Sequence, residues 1–464
     1  MRTVRIGNGA GFWGDNLDAP RQLAETGDLD YLTLEYLAEL TLSILAHLKS
    51  RSPAAGYVTD FPTVLTSLLP ALQAQPRLRI VTNAGGMNPA SCARHAAKIL
   101  ADAGLGDTQI AAVAGDDLLP ELDRYLAEGE AFRNLDDGRS LEAVRPLVAS
   151  ANAYLGIEGI VQALDRGARI VVTGRVADAS LTVGPAVHEF GWKRDDWSRL
   201  AAASVAGHLI ECGAQMTGGM FANWEPRFDL AHVGYPIAEI GDDGSLVVTK
   251  PPQTGGIVDA RTVSEQLVYE IGDPRHYLTP DIDVDFSRVQ LEQIGPDRVR
   301  VTGAAGREPP ATYKVSLAYR DGYMASGTLV ISGPNAASRG RACGEMILER
   351  IRQAGITLAR TNIECLGSGD SLPGVWPRTE SSEVVLRVTV HDPRKEAVER
   401  FTREFAPLVT SGPPGVTGYT GPRARPYPVN AYWPTTIERS RVKATVDVKS
   451  AADWTADGAT DSHQ

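Results

Sequence analysis

As far as about residue 215, short apolar runs alternate with longer stretches whose apolar positions recur every three to four residues, the pattern of strands and amphipathic helices in turn. The runs are "VRI" (4–6), "DYLTLEY" (30–36), "LRIVT" (78–82), "QIAAV" (109–113) and "ARIVVT" (168–173). Helical patterns follow several of them. Pro20 stands where a first turn accepts it, ahead of "RQLAET"; "LAELTLSILAHLK" follows the second run; "ASCARHAAKILADAG" is stopped by Gly104. Five such units predict an α/β fold whose N-terminal domain, residues 1–230, is a Rossmann-like parallel sheet with helices packed on it.

The texture changes from residue 236, where "GSLVVT", "DRVRVTG", "TYKVSLAYRDGYMASGTLVIS" and "SEVVLRVTV" read as strands, several joined by Gly-containing or Asp-Gly turns. Helices are predicted near 335–354 and 394–406. A β-rich α+β domain is therefore expected over 231–448, with the Pro- and Gly-rich segment 412–436 crossing the surface back toward the first domain. The polar residues 449–464 are expected to be a disordered tail. There is no internal repeat.

In an open parallel sheet, ligands bind where the loops after the strands converge. Here those loops bring Asp15, Glu35, Asn83, Asn88, Asp116, Asp117, Arg175 and Asp178 toward one face. Gly9, Gly11 and Gly14 in "IGNGAGFWGDN" have the spacing of a dinucleotide-binding turn, although such glycines also serve the turn itself. Bulky Phe12 and Trp13 precede Gly14, and the next helix is predicted to start only at 18–20. The loop is too long to dock a pyrophosphate on a helix end, so it is expected to be a substrate-binding wall. In "NAGGMNP", Gly85 and Gly86 allow close approach of a ligand and Pro89 opens a helix; this loop and "GRVAD" are expected to face each other across one pocket. "GHLIECGAQMTGG" sets His208 and Glu211 three apart on one helical face and ends in Thr217, Gly218 and Gly219. Each acidic candidate has a structural reading beside the functional one. Glu35 is equally a cap for the helix after it, Arg175 with Asp178 an ion pair, and His208 with Glu211 a surface pair.

Charge narrows the partners. With 57 acidic against 46 basic residues, a net charge of -11 disfavours nucleic acid. No apolar run approaches the roughly 18 residues of a membrane span, and "MRTVRIGNG" lacks a signal-peptide core, so a cytoplasmic chain without membrane contact is expected. The cysteines, Cys92, Cys212, Cys343 and Cys365, have neither disulfide-framework nor zinc-ligand spacing and read as reduced. There is no GxxxxGK[ST], GxSxG or HExxH motif. No cofactor is required by any motif, and a divalent metal has no ligand motif to support it.

The ordered series "IGNGAGFWGDNLDAPRQLAETGDLDYLTLEYLAE", "TNAGGMNP", "ARIVVTGRVADASLTVGPAVHEFGW", "GHLIECGAQMTGG", "GYPIAEI", "TGGIVDARTVSEQLVYEIGDPRHYLTPDIDVDFS" and "RDGYMASGTLVISGP" resembles the acyclic terpene utilisation (AtuA-like) family, long a domain of unknown function, over the chain to residue 445. Many members carry a further C-terminal ferredoxin-like domain, for which this chain ends too early. The resemblance implies work in pathways that degrade citronellol and geraniol, whose intermediates travel as acyl-CoA esters.

The leading expectation is an enzyme that uses acid/base chemistry, as a hydratase/lyase or an isomerase, on a branched acyl-CoA or related carboxylate. Glu35, Arg175, Asp178, His208 and Glu211 are the catalytic candidates: Arg175 and loop amides would bind an oxyanion, and the others would move protons. Gly9, Gly11, Phe12, Trp13, Asp15, Asn83, Gly85, Gly86, Asn88, Asp116, Thr217, Gly218 and Gly219 are the substrate-binding candidates. One alternative is a non-catalytic binding subunit or assembly factor of an acyl-CoA pathway; another is a dinucleotide-dependent oxidoreductase. The expected partners are a small-molecule substrate and further copies of the chain in a homo-oligomer.

Overall fold

The five apolar runs are the strands Thr3–Asn8, Tyr31–Leu34, Arg79–Thr82, Gln109–Ala114 and Ile170–Thr173 in the computed structural model, which describes residues 2–418 and 421–461. All five lie in one sheet and pair in parallel, with Ile170–Thr173 inserted between Arg79–Thr82 and Gln109–Ala114. Register is set by apolar pairs: Leu32 stands opposite Ile80, and Val81 opposite Val171. These strands are nearly continuous apolar runs because both faces are covered, and their side chains join one core with Leu42, Phe61, Leu65 and Cys92 from the helices. The helix Pro89–Asp102 shows its local logic in the sequence: Asn88 caps it by accepting from Ser91 N at 3.3 Å, Pro89 opens it, and Gly104 ends it with φ +77.

The chain is mixed α/β and divides into two compact units, residues 1–318 with 432–464 and residues 319–431, rather than at residue 230. The reason is strand pairing. Ile237–Gly241 pairs antiparallel with Thr3–Asn8, and Leu246–Thr249, Arg298–Thr302 and Gln290–Gly295 continue from it, so four strands that read as a separate domain extend the parallel sheet at one edge, within a sheet of ten strands. At the opposite edge Thr445–Ser450 pairs with Gln109–Ala114. The tail is accordingly ordered through much of its length: Ala451–Asp461 is a helix whose Trp454 is buried and donates Nε1–H to Ile110 O at 3.0 Å.

In the second unit, Arg360–Leu366 and Glu383–Asp392 pair antiparallel, and Glu383–Asp392 pairs in turn with the long strand Thr312–Ser332. The helix Ala336–Gln353 buries Cys343, Ile347 and Ile351 against that sheet. The expected helix near 394–406 is the shorter Lys395–Phe401. Segment 412–436 carries the strand Val416–Gly418 and the start of Tyr427–Glu438; its residues 419 and 420 lie outside the described ones. Among the described residues no helix is long and apolar enough to cross a membrane, and all four cysteines are free thiols.

Candidate active site

Adjacent parallel strands deliver their next residues to one edge, and there the candidate polar groups bond to each other. Glu35 follows Tyr31–Leu34 and Asn83 follows Arg79–Thr82; Asn83 Nδ2–H donates to Glu35 Oε1, and Tyr36 N–H donates to Asn83 Oδ1 at 2.8 Å. Leu37 N–H also donates to Glu35 Oε1, at 2.8 Å. Arg175, after Ile170–Thr173, is fully buried: it bonds Leu37 O and Asp178 Oδ1, the latter at 2.7 Å, and lies 3.9 Å from Glu35 Oε1. Its guanidinium carbon sits 4.0 Å from the centre of the Tyr154 ring. Glu35 Oε2 is buried without a partner. Burial raises the Glu35 carboxyl well above its ordinary range and Asp178 adds to the rise, while Arg175 opposes it.

The helix Trp197–Ile210 supplies the other half. A Cβ on Gly207 would lie 2.7 Å from Ala179 Cα, so only glycine lets this helix close on the loop that carries Asp178. Gly11 plays the same part for the first loop, where a Cβ would lie 2.8 Å from Cys212 C. His208 and Glu211 are thereby packed into the interior, and the reading as a surface pair is lost. His208 is 1% exposed, its Nδ1 lies 3.3 Å from Glu211 Oε1, and its ring packs on Tyr277 and Phe286. Its Nε2 lies 3.0 Å from Gln266 O, a carbonyl that only accepts, so Nε2 carries the proton and Nδ1 presents a lone pair. That Nδ1 and Glu211 Oε2 are buried without hydrogen-bond partners. Burial lowers the His208 imidazole and raises the Glu211 carboxyl well above its ordinary value, with Asp178 and Glu270 adding to the latter. The pair is thus arranged to hold one proton between two neutral groups.

Two cavities meet at this wall, sharing Glu39, Asp178, Glu211 and Glu270. The first, of about 380 Å³, is completed by His208, Tyr154, Tyr277, Tyr313, Lys314 and the apolar Leu135, Leu278 and Pro310. In it Lys314 Nζ and Tyr154 Oη each lie 3.2 Å from Glu39 Oε1. The second, of about 470 Å³, is lined by Gly11, Phe12, Asp15, Glu35, Cys212 and Gly219, with Tyr235, Tyr269 and Met220 beside them. Burial and the neighbouring Glu211 push the Cys212 thiol up to about 12, which removes it as a nucleophile at neutral pH.

The other predicted residues lie behind the wall. Arg175 lines neither cavity; it is the cation under Asp178 and Glu35 rather than a group presented to a ligand. The glycines of "NAGGMN" pack against protein and line neither cavity: a Cβ on Gly85 would lie 2.5 Å from Thr173 O, the residue before "GRVAD", and one on Gly86 would strike Leu45. Asn88 is occupied as a helix cap and by Pro53 O and Ala55 O. Asp116 Oδ2 accepts from Arg175 N at 2.9 Å and Asn152 Nδ2 at 2.8 Å, fixing the 174–178 loop from below, while Asp117 caps a short turn at Leu119 N. Gly9 packs on Pro20, Trp13 Nε1–H donates to Asp60, and Thr217 is buried with its hydroxyl on Ala214 O. Gly218 packs beside Ile257. The helix after the first loop is Ala19–Thr26, ten residues beyond Gly9, so its amino end does not close a GxGxxG turn.

Glu39, Tyr154, Glu270, Tyr277 and Lys314 are wall residues that the motif spacing did not single out. The last three come from outside the parallel units, and Glu270 turns into the wall at φ +59, a conformation that a side-chain-bearing residue adopts only under constraint. Among the described residues no group of three or more His, Cys, Asp or Glu is placed to hold a metal ion.

A family model described as "Acyclic terpene utilisation family protein AtuA" matches residues 4–448. No curated protein and no solved structure matches the chain.

Proposed function

We propose that this chain, which belongs to the acyclic terpene utilisation family, is an enzyme whose first cavity moves protons on a branched acyl thioester, as a hydratase/lyase or isomerase. The observation that carries the reading is the buried pair of His208 Nδ1 and Glu211 Oε1, 3.3 Å apart and both lining the cavity. A protonated Glu211 is the general acid, and the bare Nδ1 of His208 beside it is the base that takes up and returns its proton. Lys314, with Tyr154 beside it, is the cationic group in the cavity lining and suits an enolate oxygen better than the enclosed Arg175. Four carboxyl groups on the wall disfavour a free carboxylate substrate, which narrows the choice to the uncharged thioester carbonyl. In this reading the five parallel strands are the Rossmann-like part of a cytoplasmic protein, and the loops at their carboxyl ends hold Glu35 and Asp178 in position.

The test is isotope exchange. Branched saturated and enoyl-CoA esters are incubated with the protein in D2O and followed by mass spectrometry. Deuterium should enter the acyl chain, and His208→Gln and Glu211→Gln should each slow its entry at least about 100-fold, the usual weight of a general acid or base. Exchange that is absent from every thioester, or that survives both substitutions, would overturn the proposal.

A further inference from the structure

The sheet of the second unit ends in an edge strand with no further neighbour among the described residues. Arg360–Leu366 pairs with Glu383–Asp392 on one side, without a register shift, and no strand lies on its other side. Cys365 N–H marks the direction of that open side, because it donates to Asp370 Oδ2 at 2.8 Å and not to the neighbouring strand. Alternate residues of an antiparallel strand point their backbone groups the same way, so the N–H and C=O of Thr361 and Ile363 also point outward. Arg360, Thr361 and Asn362 are exposed. Such an edge is a template for pairing with another chain, and proteins normally blunt it with a bulge, a proline, a covering group or extreme shortness. Three other edges are blunted: Gln290–Gly295 has a register shift between Gln293 and Gly295, Val446 O of Thr445–Ser450 accepts from Arg166 at 2.9 Å, and Val416–Gly418 has only 3 residues. Residues 360–364 carry none of these devices.

We propose that this edge is a self-association surface, at which the Arg360–Leu366 strands of two copies pair antiparallel about a two-fold axis at Asn362. The sequence is self-complementary in that register. Thr361 stands opposite the partner's Ile363 and exchanges both backbone hydrogen bonds with it, and the axis repeats the exchange. Arg360 stands opposite the partner's Glu364, and no other register sets these two charges directly across from each other. Within each chain Arg360 bonds Asp321 at 2.8 Å and Arg387 bonds Glu364 at 2.6 Å, so pairing joins them into one row of alternating sign. The helix above fits the same axis. Gly340 and Gly344 bring Ala336–Gln353 close onto the edge strand, since a Cβ would lie 2.7 Å from Cys365 Sγ at the first and 2.6 Å from Ile363 Cγ2 at the second. That helix packs over both Arg360–Leu366 and Glu383–Asp392. The axis therefore repeats it two strand spacings away, about 10 Å, which is the packing distance of two helices. Arg341 reaches Asp370 at 3.3 Å, which turns its face of the helix toward the open edge, and half-buried Leu348 lies two turns further along that face as the apolar side chain the helices share.

The experiment is sedimentation velocity of the whole protein over about 1–50 µM, with cysteine cross-linking to read the register. The parent should sediment as a dimer at about 10 µM. Thr361→Pro removes an outward N–H and no hydrogen bond inside the chain, so it should weaken dimerisation at least about tenfold at an unchanged melting temperature. Arg360→Glu sets like charge against the partner's Glu364 and should weaken it by about tenfold as well. Asn362→Cys meets its own copy across the axis and should form an inter-chain disulfide on mild oxidation, where the parent forms none. Arg360→Cys, about 13 Å from its own copy in this register, should not. A parent that is monomeric at about 50 µM, parental dimer affinity in Thr361→Pro or Arg360→Glu, or cross-linking at position 360 that matches position 362 would each overturn the assignment. Assembly is read without turnover, so the outcome is independent of what the first cavity catalyses.

Discussion

Asp116→Asn separates a strut from a ligand-binding group. Asp116 is 2% exposed, its Oδ2 accepts from Arg175 N and Asn152 Nδ2, and burial raises its carboxyl from 3.8 to about 6. The raised value means that the folded state prefers the neutral form. The stability this group contributes is fully present below the unfolded value near 3.8 and is lost as pH rises to about 6. Above that range, ionised Asp116 depresses stability by about 3 kcal/mol relative to a neutral isostere, taking about 1.4 kcal/mol for each tenfold change in proton affinity. Near pH 4.5 the same comparison leaves only about 1 kcal/mol, because the unfolded carboxyl is then mostly but not wholly ionised. An asparagine keeps an oxygen in the place of Oδ2 and cannot ionise. Urea denaturation of both proteins at these two pH values should therefore show the variant gaining about 2 kcal/mol on the parent as pH rises, whatever constant offset the amide introduces. A difference that stays the same at both pH values would show that Asp116 is ionised at little cost in the fold, and the placement of this residue as a buried strut would fail.

Two further perturbations probe the architecture that assembles the wall. Gly207→Ala puts a methyl group 2.7 Å from Ala179 Cα and should lower stability by about 1–3 kcal/mol. By backing His208 away from Asp178 it should also slow deuterium exchange more than the melting temperature alone explains; a variant with parental stability and exchange would show that the close approach is not needed. Trp454→Ala empties a fully packed position on the C-terminal helix, and in thermal or urea melts it should cost about 3–5 kcal/mol, whereas a change under about 0.5 kcal/mol, the size expected of a surface substitution, would restore the disordered tail.

How far the chain could be read in advance follows from which constraints are local. The five parallel strands were legible because burial on both faces writes an apolar run into each, and Pro89, Asn88 and Gly104 mark a helix by chemistry within one turn. Glu35, Asp178, His208 and Glu211 were legible as candidates because strand-end loops and a helix face are positions that a sequence pattern can locate. Their setting was not. Whether Glu211 with His208 is a solvated surface pair or a buried acid and base depends on Gly207 meeting Ala179, on Gln266 holding Nε2, and on Asp178 and Glu270 arriving from elsewhere in the chain. Arg175 misled for the same reason. An arginine after a parallel strand suggests an anion site, but Asp178, Glu35 and the Tyr154 ring enclose it, and the positive charge presented to the cavity is Lys314 from the strand Thr312–Ser332. The C-terminal residues misled by composition: polar side chains on one face of a helix hid the single Trp454 that anchors the other. A charge's role in this wall is therefore a property of its neighbours. Spacing identifies which residues reach the edge of the sheet, and packing decides whether each of them supports the site, holds a proton or meets a ligand.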